Sequence, residues 1–126
     1  MAEQISPFNL DFRGKTVLVV GGSSGIGNGV AHAFRAAGAE THVWGTREAD
    51  EYRAEDGSDL TGLHYARVDV SDFQAVAELD LGFDRLDVLV TCQGTVAYNR
   101  KEFEIETFRR IVDVNLNSVM ACCMWV

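Results

Sequence analysis

The sequence is poor in cysteine, and its three cysteines, Cys92, Cys122 and Cys123, show no C-x-x-C spacing. An odd number excludes a fully paired disulfide framework, and neighbouring residues point about 100° apart on a helix, so Cys122 and Cys123 are poor partners for each other. Three scattered histidines add no metal-ligand pattern to these thiols. We therefore expect reduced cysteines in a cytoplasmic protein, and no metal site.

Positive charge and long apolar runs are also scarce. The formal net charge of −8, from 11 basic and 19 acidic residues, argues against a nucleic-acid or anionic-membrane partner, because both require clustered positive charge. The longest apolar run, residues 119–126, is far shorter than the ~20 residues that a helix needs to cross a bilayer. The N-terminus has no basic start followed by an apolar stretch, so no signal peptide is expected.

Proline occurs once, at Pro7, and there is neither a repeat nor a linker, so residues 1–126 are interpreted as a single domain. Within it, short apolar runs alternate with segments of helical periodicity. The predicted strands are residues 15–20, 41–44, 63–70 and 86–91, and the predicted helices are residues 26–37, 71–79 and 104 onward. This alternation predicts a doubly wound α/β fold, with a parallel sheet and right-handed helical crossovers.

Three local features of the helices are also predicted. Ser71 and Gln74 have the spacing of a capping box that opens the second helix, and a short helix is expected within residues 47–53. The last helix is expected to carry one apolar face, which this chain leaves largely bare. That face consists of Ile105, Phe108, Ile111, Val112, Leu116, Val119 and Cys123.

Gly21, Gly25 and Gly27 follow the first predicted strand at the spacing G-x-x-x-G-x-G. Glycine lets the backbone turn tightly and lets a phosphate approach closely. A helix that begins near Gly25 offers unpaired N–H groups and the positive end of its dipole to a pyrophosphate. The alternative is a tight strand-to-helix connection with no ligand, but the strand before and the helix after favour nucleotide binding.

Four stretches in the same order resemble the short-chain dehydrogenase/reductase family. They are the glycine segment, with Val20 where the family usually has threonine, Val68-Asp69-Val70, residues 86–94, and Val112-Asp113-Val114-Asn115-Leu116. The resemblance extends from about Gly14 to the C-terminus. It implies a Rossmann-like sheet, here of about four strands and the helix after the fourth, and hydride transfer between a nicotinamide cofactor and a small carbonyl or alcohol substrate.

The resemblance also implies particular site residues. Asn115 corresponds to the family's structural and proton-relay asparagine, and Asp69 to the aspartate that meets the adenine. The sequence departs from the family at Val20 and at Thr91-Cys92-Gln93, which replaces the usual Asn-Asn-Ala before Gly94. The cofactor-binding residues implied are Gly21, Ser23, Ser24, Gly25, Ile26, Gly27, Gly45, Thr46, Arg47, Asp69, Val70, Cys92, Gln93 and Gly94.

The end of the second strand favours NADP over NAD. A carboxylate there would bind the ribose 2′-hydroxyl of NAD, but no acid lies between Thr41 and Arg47. Gly45 stands where relatives that prefer NAD carry aspartate. Thr46 and Arg47 are suited to a 2′-phosphate, since arginine is always charged and binds phosphate through a planar fork. The alternative is that Arg47 is only a solvated surface residue.

The family's catalytic Tyr-x-x-x-Lys is absent from this sequence. The residues four positions after Tyr52, Tyr65 and Tyr98 are all acidic, so the chain alone is expected not to be catalytically competent. Two hypotheses remain: the cofactor-binding half of a truncated oxidoreductase, or a stand-alone nucleotide-binding or interaction module without redox turnover. The uncapped, apolar last helix favours the first. The resemblance further implies a homo-oligomer through the helix from about Glu104.

Overall fold

The computed structural model describes residues 10–126, so Pro7 and the segment considered for a signal peptide lie outside it. Four strands form one parallel sheet in the order β3-β2-β1-β4. They are β1 (Thr16–Val20), β2 (Glu40–Gly45), β3 (His64–Arg67) and β4 (Val88–Thr91). The predicted α/β architecture is confirmed, and the third and fourth strands are shorter than the apolar patterns indicate.

Helices pack on both faces of this sheet, as a doubly wound fold requires. The helices are α1 (Gly25–Ala36), α2 (Phe73–Glu78), α3 (Ile105–Val112) and α4 (Ser118–Trp125), of which α3 has no buried residue. Because successive strand residues point to opposite faces, the odd-numbered residues of β1 pack with Ala31 of α1. The even-numbered residues pack with Val76 of α2 and Cys122 of α4. Val17, Leu18, Val19 and Val20 are fully buried, so β1 is the centre of the core.

Two predictions for the region before α3 are wrong in detail. The capping box at Ser71 does not form: Asp72 is the N-cap of α2, and its carboxylate accepts a hydrogen bond from the Ala75 N–H at 3.1 Å. The Ser71 hydroxyl is unavailable because it donates to the Asp69 carboxylate at 2.6 Å. The short helix expected within residues 47–53 is replaced by two single 3₁₀ turns, Ala49–Glu51 and Ala54–Asp56.

The apolar face of the last helix is largely exposed, as expected. Phe108 is 55% exposed and Leu116 is 65% exposed, whereas Ser118, Ala121 and Cys122 are buried. A π-helical segment, Asp113–Asn117, lies between α3 and α4. Its wider turn adds a residue to the helical cycle, so an apolar repeat extended through it loses its phase. Across the described residues, no helix combines the length and apolar character needed to cross a membrane.

Candidate nucleotide-binding site

Two glycines of the turn after β1 are required by close packing. Gly21 has a φ of +73°, and its N–H donates to the Trp44 carbonyl at 3.0 Å. A Cβ on Gly21 would lie 2.8 Å from the backbone of Cys92, and a Cβ on Gly27 would lie 2.1 Å from the Gly21 carbonyl oxygen. These residues therefore let the start of α1 pack directly against the turn and the end of β4.

Gly25 is favoured by its backbone conformation and not by close packing. Its φ is +56°, and a Cβ at this position would meet no atom within 4 Å. The first turn of α1 contains no acidic residue, and the N-cap Ser24 makes no side-chain capping bond. The first turn of α1 therefore carries neither an acid nor a side-chain cap that would compete with a bound anion.

The N–H of Gly25 is not unpaired, contrary to the expectation from sequence. It donates to the Gly57 carbonyl at 3.2 Å, so the loop after the second 3₁₀ turn lies against the start of α1. Asn28, which the sequence analysis missed, fixes this loop. Its buried amide donates to the carbonyls of Gly22 at 3.1 Å and Asp59 at 2.7 Å, and accepts from the Asp59 N–H at 3.2 Å. No sequence signal distinguishes Asn28 from a solvated helix residue.

The carboxyl ends of β1, β2 and β4 border an open cleft of about 350 Å³. Such an edge is where open α/β sheets bind ligands. Gly25 and Asp69 do not line this cleft, but all the other predicted cofactor-binding residues do. Those lining residues are Gly21, Ser23, Ser24, Ile26, Gly27, Gly45, Thr46, Arg47, Val70, Cys92, Gln93 and Gly94. The fold thus collects four distant segments of the sequence into one site.

Arg47 and Tyr52 form one unit at the end of β2. The Arg47 guanidinium carbon lies 4.3 Å from the centre of the Tyr52 ring, within the range of a cation–π interaction. The backbone N–H of Arg47 donates to the Tyr52 hydroxyl at 3.2 Å, and the Tyr65 hydroxyl donates to the backbone carbonyl of Arg47. Tyr52 is only 8% exposed. This unit holds a cation at the edge of the cleft.

The Tyr52 hydroxyl occupies the space beside Gly45. A Cβ on Gly45 would lie 2.4 Å from the Tyr52 oxygen and 2.2 Å from the Ser23 Oγ. Burial by itself raises the pKa of Tyr52, but hydrogen bonds with Ser23, Tyr65 and Arg47 outweigh it and leave the pKa below its ordinary value. Tyr52 was missed by the sequence analysis because it follows a 3₁₀ turn that carries no periodic signal.

The nearest acid after β2, Glu48, is turned away from the cleft. Its carboxylate forms an ion pair with Arg67, whose Nε also donates to the Thr46 carbonyl at 2.9 Å. Glu48 does not line the cleft. Asp69 is exposed, and its carboxylate accepts from both the N–H and the hydroxyl of Ser71, at 3.0 and 2.6 Å. The structure therefore places neither carboxylate in the cleft.

Gln93 presents an unpaired acceptor in the cleft wall. Its Nε2 donates to the Ser118 Oγ at 3.0 Å, and that hydroxyl donates in turn to the Val114 carbonyl. Because the hydroxyl proton is committed to Val114, the Gln93 amide must face Ser118 with its nitrogen. The Gln93 Oε1 is buried without a hydrogen-bond partner. Buried acceptors are normally satisfied, so this atom is free to bind a ligand donor.

Asn115 lies in the π-helical segment and fixes the chain beyond β4. Its Nδ2 donates to the Thr95 carbonyl at 2.9 Å, and its Oδ1 accepts from the Thr95 N–H at 2.7 Å. Both functional atoms of the side chain are therefore engaged with backbone. This contact positions the segment after Gly94 and, within the described residues, is a structural role.

The chain belongs to the short chain dehydrogenase family, whose sequence profile matches residues 15–126. It is 28% identical over 124 residues to 2-dehydro-3-deoxy-L-rhamnonate dehydrogenase (NAD(+)) of Sphingomonas sp., covering 94% of this chain and 49% of the relative. It is 33% identical over 117 residues to the 3-oxoacyl-acyl-carrier-protein reductase FabG of Chlamydia muridarum, covering 86% of this chain and 47% of the relative.

A solved structure of a short-chain dehydrogenase/reductase has a similar fold. A short-chain type dehydrogenase/reductase from Mycobacterium ulcerans superimposes with a TM-score of 0.67 and 30% sequence identity, over 90% of this chain and 45% of the other. The chain spans about half the length of the curated relatives it matches. The match begins at Lys15, immediately before β1, so the whole sheet lies within it.

Proposed function

We propose that this chain is the cofactor-binding half of an NADP-dependent oxidoreductase that interconverts a small carbonyl compound and an alcohol. The carrying observation is the cleft at the carboxyl ends of the strands, which joins the glycine turn to the cation of Arg47. The names of the matched relatives, a dehydrogenase and a reductase, support the same reaction class. We include the cytoplasm as the location, since free thiols such as Cys92 suit a reducing compartment.

The residues present fit a nicotinamide dinucleotide. The first turn of α1 carries no acid, and a Cβ at Gly25 would meet no atom within 4 Å, which suits a pyrophosphate. The cleft between Gly45 and Val70 suits the adenosine, and the unpaired acceptor of Gln93 suits a donor on the remaining part of the molecule. When bound, the cofactor supplies or accepts the hydride.

Preference for NADP rests on the charges at the end of β2. Arg47 lies at the cleft edge, while Glu48 is held in an ion pair with Arg67 outside it. A 2′-phosphate gains charge-assisted hydrogen bonds from a guanidinium, whereas a 2′-hydroxyl prefers a carboxylate acceptor. We therefore propose that the site prefers NADP to NAD.

This chain's own residues bind and orient the cofactor, and they do not complete the chemistry. The sequence has no Tyr-x-x-x-Lys, and Asn115 is bound to the Thr95 backbone. We propose that Asn115 acts by positioning the segment after Gly94 at the floor of the cleft. Proton transfer to the substrate belongs to the whole protein, and the 126-residue chain is proposed to bind the cofactor without turnover.

We also propose that the protein forms a homo-oligomer through the helix that begins near Glu104. Apolar side chains along this helix are exposed in the single chain, including Phe108 at 55% and Leu116 at 65%. Exposed apolar patches of this kind are typical of interaction surfaces. Light scattering coupled to gel filtration tests this part of the proposal.

The test of cofactor binding is Gly25→Ala, with Gly82→Ala as its matched control. Both glycines have positive φ, +56° and +74°, and at both a Cβ would meet no atom within 4 Å. Both substitutions therefore carry similar backbone strain, of about 1 kcal/mol, but only Gly25 lies at the proposed pyrophosphate seat. Fluorescence titration with NADPH and NADH measures both affinities.

We expect Gly25→Ala to weaken both cofactors about tenfold or more, because its Cβ would occupy the space in which a pyrophosphate approaches the helix start, and each hydrogen bond lost to a charged group costs about 1.5–3 kcal/mol. Gly82→Ala should bind both like the unaltered chain. Equal affinities in the two variants would refute the proposal that the pyrophosphate binds at Gly25. A chain that binds neither cofactor would favour an interaction module instead.

A further inference from the structure

Three metal-ligating side chains meet at the amino ends of β2 and β3, at the opposite sheet edge from the cleft. Glu40 opens β2 and His64 opens β3. The parallel register pairs His42 with His64. Glu40 and His42 are two residues apart on one strand, so their side chains leave the same face of the sheet. The fold thus brings two imidazoles and a carboxylate together.

The distances between these groups are close to those of a coordination shell. The three ligand atoms all lie within 4.8 Å of one another, and the His42 Nε2 is 2.8 Å from the Glu40 Oε1. The two imidazole rings stack with their centres 4.6 Å apart and an angle of 25° between them. Bonds of about 2.0–2.1 Å place tetrahedral ligand atoms roughly 3.4 Å apart, so the exposed His64 ring must rotate out of the stack to bring its nitrogen to that spacing.

The packing around the ligands also suits a cation. The His42 side chain is only 12% exposed. Its ring packs edge-on against Phe83 at 4.8 Å, which fixes its orientation. His42 is therefore an anchored ligand, while Glu40 and His64 leave a path open to solvent.

We propose that Glu40, His42 and His64 bind a zinc ion that ties β3 to β2. Imidazole and carboxylate are zinc ligands, and three protein ligands leave a fourth position for water. β3 lies at one end of the described sheet, paired only with β2. A cross-strand ion stabilises that edge by mass action, because it binds the folded chain alone. This site is independent of the proposed cofactor binding.

The test uses the full chain without a histidine tag, freed of metal by a chelator, and titrated calorimetrically with zinc. The key variant is His64→Gln, whose exposed side chain can be changed with little effect on packing. His32→Gln is the matched control, because His32 lies on α1 and bonds to the Asp59 carbonyl. All measurements are repeated with Cys123→Ser, since Cys123 is an exposed thiol and cysteine is itself a zinc ligand.

We expect one saturable site per chain and a rise in melting temperature with zinc. His64→Gln should weaken binding by at least tenfold, because even loss of a residue that only supports a ligand typically costs 10–100-fold. His32→Gln should leave the zinc affinity and the zinc-induced rise in melting temperature unchanged.

Carbethoxylation of the unaltered chain, mapped by mass spectrometry, gives a second readout that needs no variant. Zinc should protect His42 and His64 but not His32. The proposal is overturned by equal zinc affinity in His64→Gln and His32→Gln, by loss of binding with Cys123→Ser, by absence of saturable binding, or by equal protection of all three histidines.

Discussion

If Arg47 binds the 2′-phosphate, replacing it with alanine should lower the affinity for NADPH and leave the affinity for NADH nearly unchanged. In the structure the Arg47 side chain is exposed and stacks 4.3 Å from the Tyr52 ring centre at the cleft edge. A hydrogen bond to a charged group contributes about 1.5–3 kcal/mol when it is shielded from solvent, and an exposed ion pair contributes about 0–1 kcal/mol. An intermediate value of about 1.4 kcal/mol corresponds to a tenfold change in affinity.

We therefore expect Arg47→Ala to weaken NADPH binding about tenfold and to leave NADH binding within about twofold. Arg47→Lys keeps the charge but loses the planar fork, so it should fall between the two. The difference should shrink as salt is added, because exposed charges are screened over about 8 Å at physiological ionic strength. Titrations of the same preparation with NADPH and NADH at two salt concentrations measure all three effects.

Two controls isolate the phosphate contact from stability. Arg109→Ala removes an equally charged, exposed arginine on α3, where it pairs with Glu106, and should change neither affinity. Loss of the cation–π contact to Tyr52 costs about 0.5–1 kcal/mol of folding free energy, which a melting curve detects separately. An unchanged NADPH affinity in Arg47→Ala, or an equal loss for both cofactors, would refute the assignment of Arg47 to the 2′-phosphate.

Two further predictions test neighbouring features. By charge alone, Gly45→Asp would favour NAD. We expect it instead to lower the melting temperature and to leave NADH affinity no better, because its Cβ would collide with Ser23 and Tyr52. A gain in NADH binding at unchanged stability would contradict this prediction. Asp72→Ala should lower the free energy of unfolding by about 0.5–2 kcal/mol through loss of a helix cap, whereas Ser71→Ala should lower it less. Chemical denaturation measures both losses, and a larger loss in Ser71→Ala would show that Ser71 caps the helix after all.

Sequence reasoning succeeded where the signal is local. The fully buried run of β1 and the glycine turn lie within a dozen residues, and each of their features follows from the preferences of neighbouring residues. The same reasoning did not find the Asp113–Asn117 segment, because a π-helical turn breaks the 3.6-residue period that a pattern assumes. After this segment, Ala121 and Cys122 are buried, although they lie outside the predicted apolar face.

Contacts that depend on register could not be predicted from spacing. His42 and His64 are neighbours only because β2 and β3 pair in one particular alignment, so a search for short metal-binding motifs finds nothing there. Tyr52 similarly reaches the cleft from a 3₁₀ turn, and Asn28 is recognisable only by its bonds to the Asp59 backbone. Such residues become visible when the fold brings distant segments together.

Gly45 shows how the structure changes the meaning of a residue that the sequence analysis identified. From the sequence, Gly45 is the absence of an acid, and the argument for NADP depends on a missing charge. In the structure, the volume of a side chain at this position is already taken by the hydroxyls of Ser23 and Tyr52. The same Tyr52 supports the guanidinium of Arg47. One buried tyrosine therefore both excludes the carboxylate that would bind a 2′-hydroxyl and holds the cation that would bind a 2′-phosphate, so the two halves of the proposed preference share a single physical cause.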